Sequence, residues 1–193
     1  MWIVPATLMT ARPSGIAMLA VAVTILLADH ALADSQVLAT EPGGMVTLEV
    51  GNALSVARVD REGLLAPDVK LRQSGSRFHG RVGLQKLAVV FEENRLTGTI
   101  GERPVSLIAV RMGDALSING NFGVREIALT LSIRALEGQV GACRYRLAFQ
   151  RRAYRGWVGC GGPPEAVRLA IPATLGARKD VEIAALLTPL LLQ

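Results

Sequence analysis

The sequence predicts an all-β protein: an antiparallel meander of about 11–13 strands built from 18-residue hairpin repeats, rolled into a barrel or a two-layer sandwich, with a short C-terminal helix. Three observations carry this. A glycine-marked unit recurs five times. Runs with period-two alternation lie between the units. Pairing those runs as hairpins sets apolar residues against apolar residues or glycine on one face.

The repeated units are Gly80–Gly83, Gly98–Gly101, Gly120–Gly123, Gly138–Gly141 and Gly156–Gly159, with first glycines 18, 22, 18 and 18 residues apart. Each is preceded by an apolar residue two positions upstream: Phe78, Leu96, Ile118, Leu136 or Tyr154. The alternating runs include LAVVF, VSLIAV, IALTLSI and YRLAF, with polar tips such as QSGS, EENR and QRRA between strands. Folding YRLAF back around Arg151 and Arg152 sets Phe149 against Tyr154, Leu147 against Gly156, Tyr145 against Val158 and Cys143 against Cys160. The same operation sets Phe91 against Leu96 and Val89 against Gly98. In the 22-residue repeat it sets Leu107 against Gly120, because the four extra residues divide evenly between two strands. A left-handed parallel solenoid also uses 18-residue coils, but apolar residues here do not hold a six-residue phase.

The elements follow in order. Residues 1–33 read as a signal peptide: an apolar run, Ile16 to Ala28, is followed by Ala31-Leu32-Ala33, with cleavage expected before Asp34. Residues 34–68 read as an N-terminal extension with a possible hairpin, MVTLEV to LSVARV, and GLLAPD as a linker. Residues 69–171 form the repeat β-domain. Arg-Ala and Arg-Arg are poor tight-turn residues, so those tips are expected to be longer loops. The glycine on the apolar face of each second strand permits a bend where the sheet curls, or makes room for a bulky neighbour. Residues 172–193 form a helical tail from about Asp180, as N-cap, to Leu187, with Pro189 ending or kinking it. This helix is expected to cover an open barrel end or a sheet edge.

One face of the sheet is apolar and includes Phe78, Leu107, Leu131, Leu147 and Phe149. The other is polar and includes Arg77, His79, Arg81, Asn119, Thr130 and Gln139. A sheet this one-sided hides one face by rolling or by layering. Spanning strands of an outer-membrane barrel need ~9–11 residues and aromatic girdles. Here the apolar faces are short and aromatics make up 4% of the chain, so no integral membrane insertion is expected after cleavage of the leader.

The chain has 193 residues, a net charge of +5 and two cysteines. Export and an even cysteine pair predict a Cys143–Cys160 disulfide and a periplasmic or extracellular location. One histidine, His79, follows the leader, and it falls on the polar face. No Ser or Cys with a base, no carboxylate pair and no metal-ligand spacing stands out, so a non-enzyme without cofactor or metal is expected. The strongest surface feature is a cluster of Arg144, Arg146, Arg155 and Arg168 with Trp157 among them, a set suited to phosphate or sulfate groups. Two roles follow as expectations. The first is a binding module holding a lipid-like or other apolar ligand inside a rolled sheet. The second is an envelope protein that uses a basic sheet face on an anionic polymer or a protein partner. Nucleic acid is disfavoured by export and by the scarcity of aromatics.

Overall fold

The structure, a computed structural model, describes residues 44–192. The expected leader and its cleavage point lie outside the described residues. Fourteen strands follow in chain order: β1 (Gly44–Val50), β2 (Ala53–Asp60), β3 (Gly63–Leu65), β4 (Val69–Ser74), β5 (Arg77–Val82), β6 (Gln85–Glu92), β7 (Arg95–Ile100), β8 (Arg103–Met112), β9 (Ala115–Phe122), β10 (Arg125–Ser132), β11 (Ala135–Val140), β12 (Cys143–Gln150), β13 (Ala153–Gly159) and β14 (Glu165–Ala170). Each pairs antiparallel with its neighbours in sequence. β14 then pairs with β1, placing Leu48 opposite Leu169, so the sheet closes into a barrel with no free edge. A short helix, α1 (Ala173–Gly176), leads to α2 (Asp180–Leu191).

The register agrees with the alternation. Leu147 faces Gly156, Tyr145 faces Val158, Val89 faces Gly98 and Leu107 faces Gly120. Cys143 and Cys160 form a disulfide with a Cα–Cα separation of 4.0 Å, closing the open end of the β12–β13 hairpin. The inward side chains, among them Phe78, Leu96, Leu107, Ile118, Leu129, Leu147 and Leu169, are buried. The outward ones are mostly polar and exposed, with Met45, Leu54, Leu65, Ile108 and Val110 as exposed apolar exceptions. Among the described residues no helix is long and apolar enough to cross a membrane.

The in-strand glycine has a backbone reason. At Gly120 φ is +135°, and at Gly98 it is +155°, a region that side-chain-bearing residues rarely adopt. A Cβ at Gly120 would overlap the carbonyl oxygen of Ser106 on the neighbouring strand, and one at Gly98 that of Ala88. The glycine therefore bends the strand and admits a close backbone approach, which coils the sheet towards closure.

Several expectations are corrected. GLLAPD is not a linker: its first three residues are β3, which pairs with β2 and β4 and brings the strand number to fourteen. The tips at Ile133-Arg134 and Arg151-Arg152 are two-residue turns, not longer loops. Ser132 Oγ accepts hydrogen bonds from the Arg134 and Ala135 amides, and Arg151 and Arg152 take left-handed φ values of 50° and 66°. Phe149 lies at the rim and is exposed, packing edge-on against Tyr154 at 5.1 Å between ring centroids. The N-cap of α2 is Lys179, and Asp180 instead pairs with Arg111, whose Nε donates to Oδ1 at 2.9 Å. The helix also continues through Pro189 to Leu191, because packing on all sides holds a turn that propensity alone would break.

The largest difference is the position of α2. Val181, Ile183 to Leu187, Leu190 and Leu191 are buried around the whole circumference of the helix. At the upper rim, where the tips such as Gly75-Ser76 and Gly113-Asp114 lie, Glu182 bonds Gln73 and Asp180 bonds Arg111; the opposite rim is the lower one. At the opposite rim Tyr145 Oη donates to the Leu191 carbonyl at 2.8 Å, and Arg125 Nη1 donates to that of Leu192 at 2.8 Å. The helix therefore threads the barrel rather than covering its end. Closed sheets widen with strand number, and about eight strands already leave an interior that side chains can fill. Fourteen need something more, and an apolar helix ~10–12 Å across supplies it.

Candidate functional site

The five residues singled out from sequence come together on the outer face of β12, β13 and β14. Arg146 lies opposite Trp157, with its guanidinium carbon 5.5 Å from the ring centroid, within cation–π range. Arg155 lies opposite Arg168, and Arg144 opposite Gly159. Arg168 is not a free cation: its Nη1 is 2.7 Å from Glu49 Oε1 on β1. The β11 strand also brings Glu137 opposite Arg146. This face is basic but partly compensated. Arg144, Arg146 and Arg155 remain as outward donors around a half-buried indole.

A second basic face, on β4, β5 and β6, was not assembled by sequence reasoning. Arg77, His79 and Arg81 on β5 share one polar face, and β4 adds its own cations beside them. The β4–β5 register around Gly75-Ser76 sets Lys70 opposite Arg81 and Arg72 opposite His79, and β6 then sets Lys86 on the other side of Arg81. Applying the same hairpin alignment to residues 69–82 finds this row in the sequence.

The interior expected to hold an apolar ligand is filled by α2 and the side chains around it. The open spaces lie at the rims and the outer face. A groove of about 560 Å³ lies at the lower rim, where Ile100, Phe122, Pro189 and Leu192 meet the exposed tips Leu84 and Val124. One of about 370 Å³ lies at the upper rim beside Arg178. There Arg178 bonds Gln73 and Glu182 and the Asp60 carbonyl, tying the entry of α2 to β2 and β4. A third, of about 390 Å³, lies across β3, β4 and β5.

His79 is exposed on the outer face. Burial pushes the Tyr145 phenol up to about 12, so it stays protonated as the donor to Leu191. Burial also raises Tyr154, whose Oη donates to the Ser132 carbonyl at 2.6 Å. Both phenols act as ties between elements. Among the described residues no group of three or more His, Cys, Asp or Glu is placed to hold a metal ion. No family model matches the chain, and no curated protein or solved structure shows significant similarity to it.

Proposed function

We propose that this protein is a non-catalytic binding module, exported to the periplasm or the extracellular space, that engages an anionic envelope polymer through the outer face of its barrel. One observation carries the reading. The apolar side of the sheet is consumed internally by α2, so the surfaces left for a partner are the rims and the outer face, and the outer face carries arginine and lysine in groups. A lipid-like ligand inside the barrel, the first expectation from sequence, would have to displace a helix held at both rims. The Cys143–Cys160 bridge is compatible with an oxidising compartment.

The test is binding of the purified mature chain to heparin and to polyphosphate, with neutral dextran as control. Binding to both polyanions is expected, with affinity falling at least ~10-fold between low and physiological salt as counterions are displaced. Equal retention on dextran, or a lipid carried through purification with no polyanion binding, would contradict the proposal.

A further inference from the structure

We infer that the outer face of β4, β5 and β6 is the primary contact, and that it takes a linear polymer carrying phosphate or sulfate groups laid across the strands. The inference rests on the reading above and assigns its site and ligand class.

The first observation is energetic. Lys70, Arg81 and Lys86 are directly opposed across three adjacent strands. Side chains so placed have Cβ atoms about 4.5–5.5 Å apart, and like charges there destabilise a sheet. Arg72, opposite His79, and Arg77 add charge to the same face. Folding gains nothing from this arrangement, whereas an oxyanion ligand does.

The second observation is the absence of compensation. Four cations elsewhere have carboxylate partners, Arg58 with Asp60, Arg111 with Asp180, Arg168 with Glu49 and Arg178 with Glu182, and on the β12–β14 face Glu49 and Glu137 lie among the arginines. Among the described residues no carboxylate lies within 4.0 Å of the charged nitrogens of Lys70, Arg72, Arg77, Arg81 or Lys86. The outward positions of β4 and β5 carry no acid, and the one on β6, Glu92, lies at the upper rim opposite Arg95. These cations keep their hydrogen-bond donors available.

The third observation is shape. The groove of about 390 Å³ is lined by Leu65 of β3, Lys70 and Arg72 of β4, and His79 and Arg81 of β5. Gly63, Leu64, Leu71 and Gly80 line it beside the charged residues. Asp60 and Glu62, at the end of β2 and in the turn after it, also line the groove, while Lys86 lies outside it, next to Arg81 on β6. Adjacent strands are ~4.8 Å apart, so a chain crossing them meets one cation per strand step. Arginine forks on tetrahedral oxyanions give directional hydrogen bonds. The aromatic residues of these strands, Phe78 and Phe91, point into the core, so the face has no stacking platform for bases.

The experiment uses the full mature chain with three ligands: polyphosphate, heparin and vesicles containing phosphatidylglycerol. Two triple variants are compared, Lys70→Ala/Arg81→Ala/Lys86→Ala and Arg144→Ala/Arg146→Ala/Arg155→Ala. The first is expected to weaken polymer binding at least ~10-fold and to lower the salt slope by about 2, three contacts at roughly 0.7 each. It is also expected to melt no lower than the parent at low salt, since it removes repulsion. Comparing polyphosphate with heparin separates phosphate from sulfate preference, and either preference supports the inference. Weakening by the arginine variant alone overturns the site and leaves the function reading standing. Binding to vesicles without binding to either polymer overturns the ligand class. A parent chain that binds no polyanion overturns both readings.

Discussion

Leu186→Ala is expected to cost about 3 kcal/mol of stability, and Leu186→Asp to prevent folding to the native barrel. Leu186 lies near the middle of α2 and is fully buried. Truncating such a residue loses transfer energy and leaves a cavity, typically 2–5 kcal/mol for Leu to Ala. In a domain of this size ~3 kcal/mol corresponds to a fall of roughly 10 °C in melting midpoint. An unpaired carboxylate at the same position is costlier still, because no partner is available in an apolar barrel interior. The product expected from Leu186→Asp keeps strand content but binds a hydrophobic dye and melts without a cooperative transition. The control is Leu84→Asp. Leu84 lies at a lower-rim tip and is 90% exposed, so the same chemical change there is expected to stay within ~0.5 kcal/mol. Calorimetry of the three variants checks the set. Equal tolerance at 84 and 186 would place α2 outside the core.

The second large effect is at the strand glycines. Gly120→Ala is expected to cost about 3–4 kcal/mol, at the upper end for single substitutions. Two terms add there: a φ of +135° that alanine resists, and overlap of its Cβ with the Ser106 carbonyl oxygen. Gly75→Ala separates them. Gly75 also has positive φ, +58°, but nothing lies within 4 Å of an added Cβ. That change is expected to cost ~1–2 kcal/mol, the left-handed conformational penalty alone. Equal costs at the two positions, measured by denaturant unfolding, would show that backbone approach across the β8–β9 pair does not contribute.

Most of the barrel was legible because a half-buried strand has a strict period of two. Once one hairpin centre is guessed correctly, every pair in it follows, as at Leu147–Gly156 and Leu107–Gly120. β3 was not legible: three residues next to Pro67 are too short to show alternation. Phe149 was placed on the right face but not at the right depth, since alternation does not report where a strand leaves the core. The location of α2 was misread although the signal was present. VEIAALLTPLLL is apolar on all sides, and a helix of that kind is buried all round rather than laid on a surface. Closure also raises the volume to be filled as strands are added, so a long meander with an all-apolar tail implies a threaded barrel. The candidate site was half legible. The arginine face could be read from the disulfide-closed hairpin, but its compensation by Glu49 depends on β1 pairing with β14, a contact between the two ends of the barrel sequence.

The threading of α2 through the closed sheet underlies the stability account and the assignment of binding to the outer face. Amide hydrogen exchange across residues 181–191 tests it most directly. A helix enclosed by fourteen strands opens only when the barrel does, so its amides are expected to share the slowest exchange, with the protection of β8 and β12. Exchange of those amides well ahead of the strands, as from a helix docked on the surface, would contradict it.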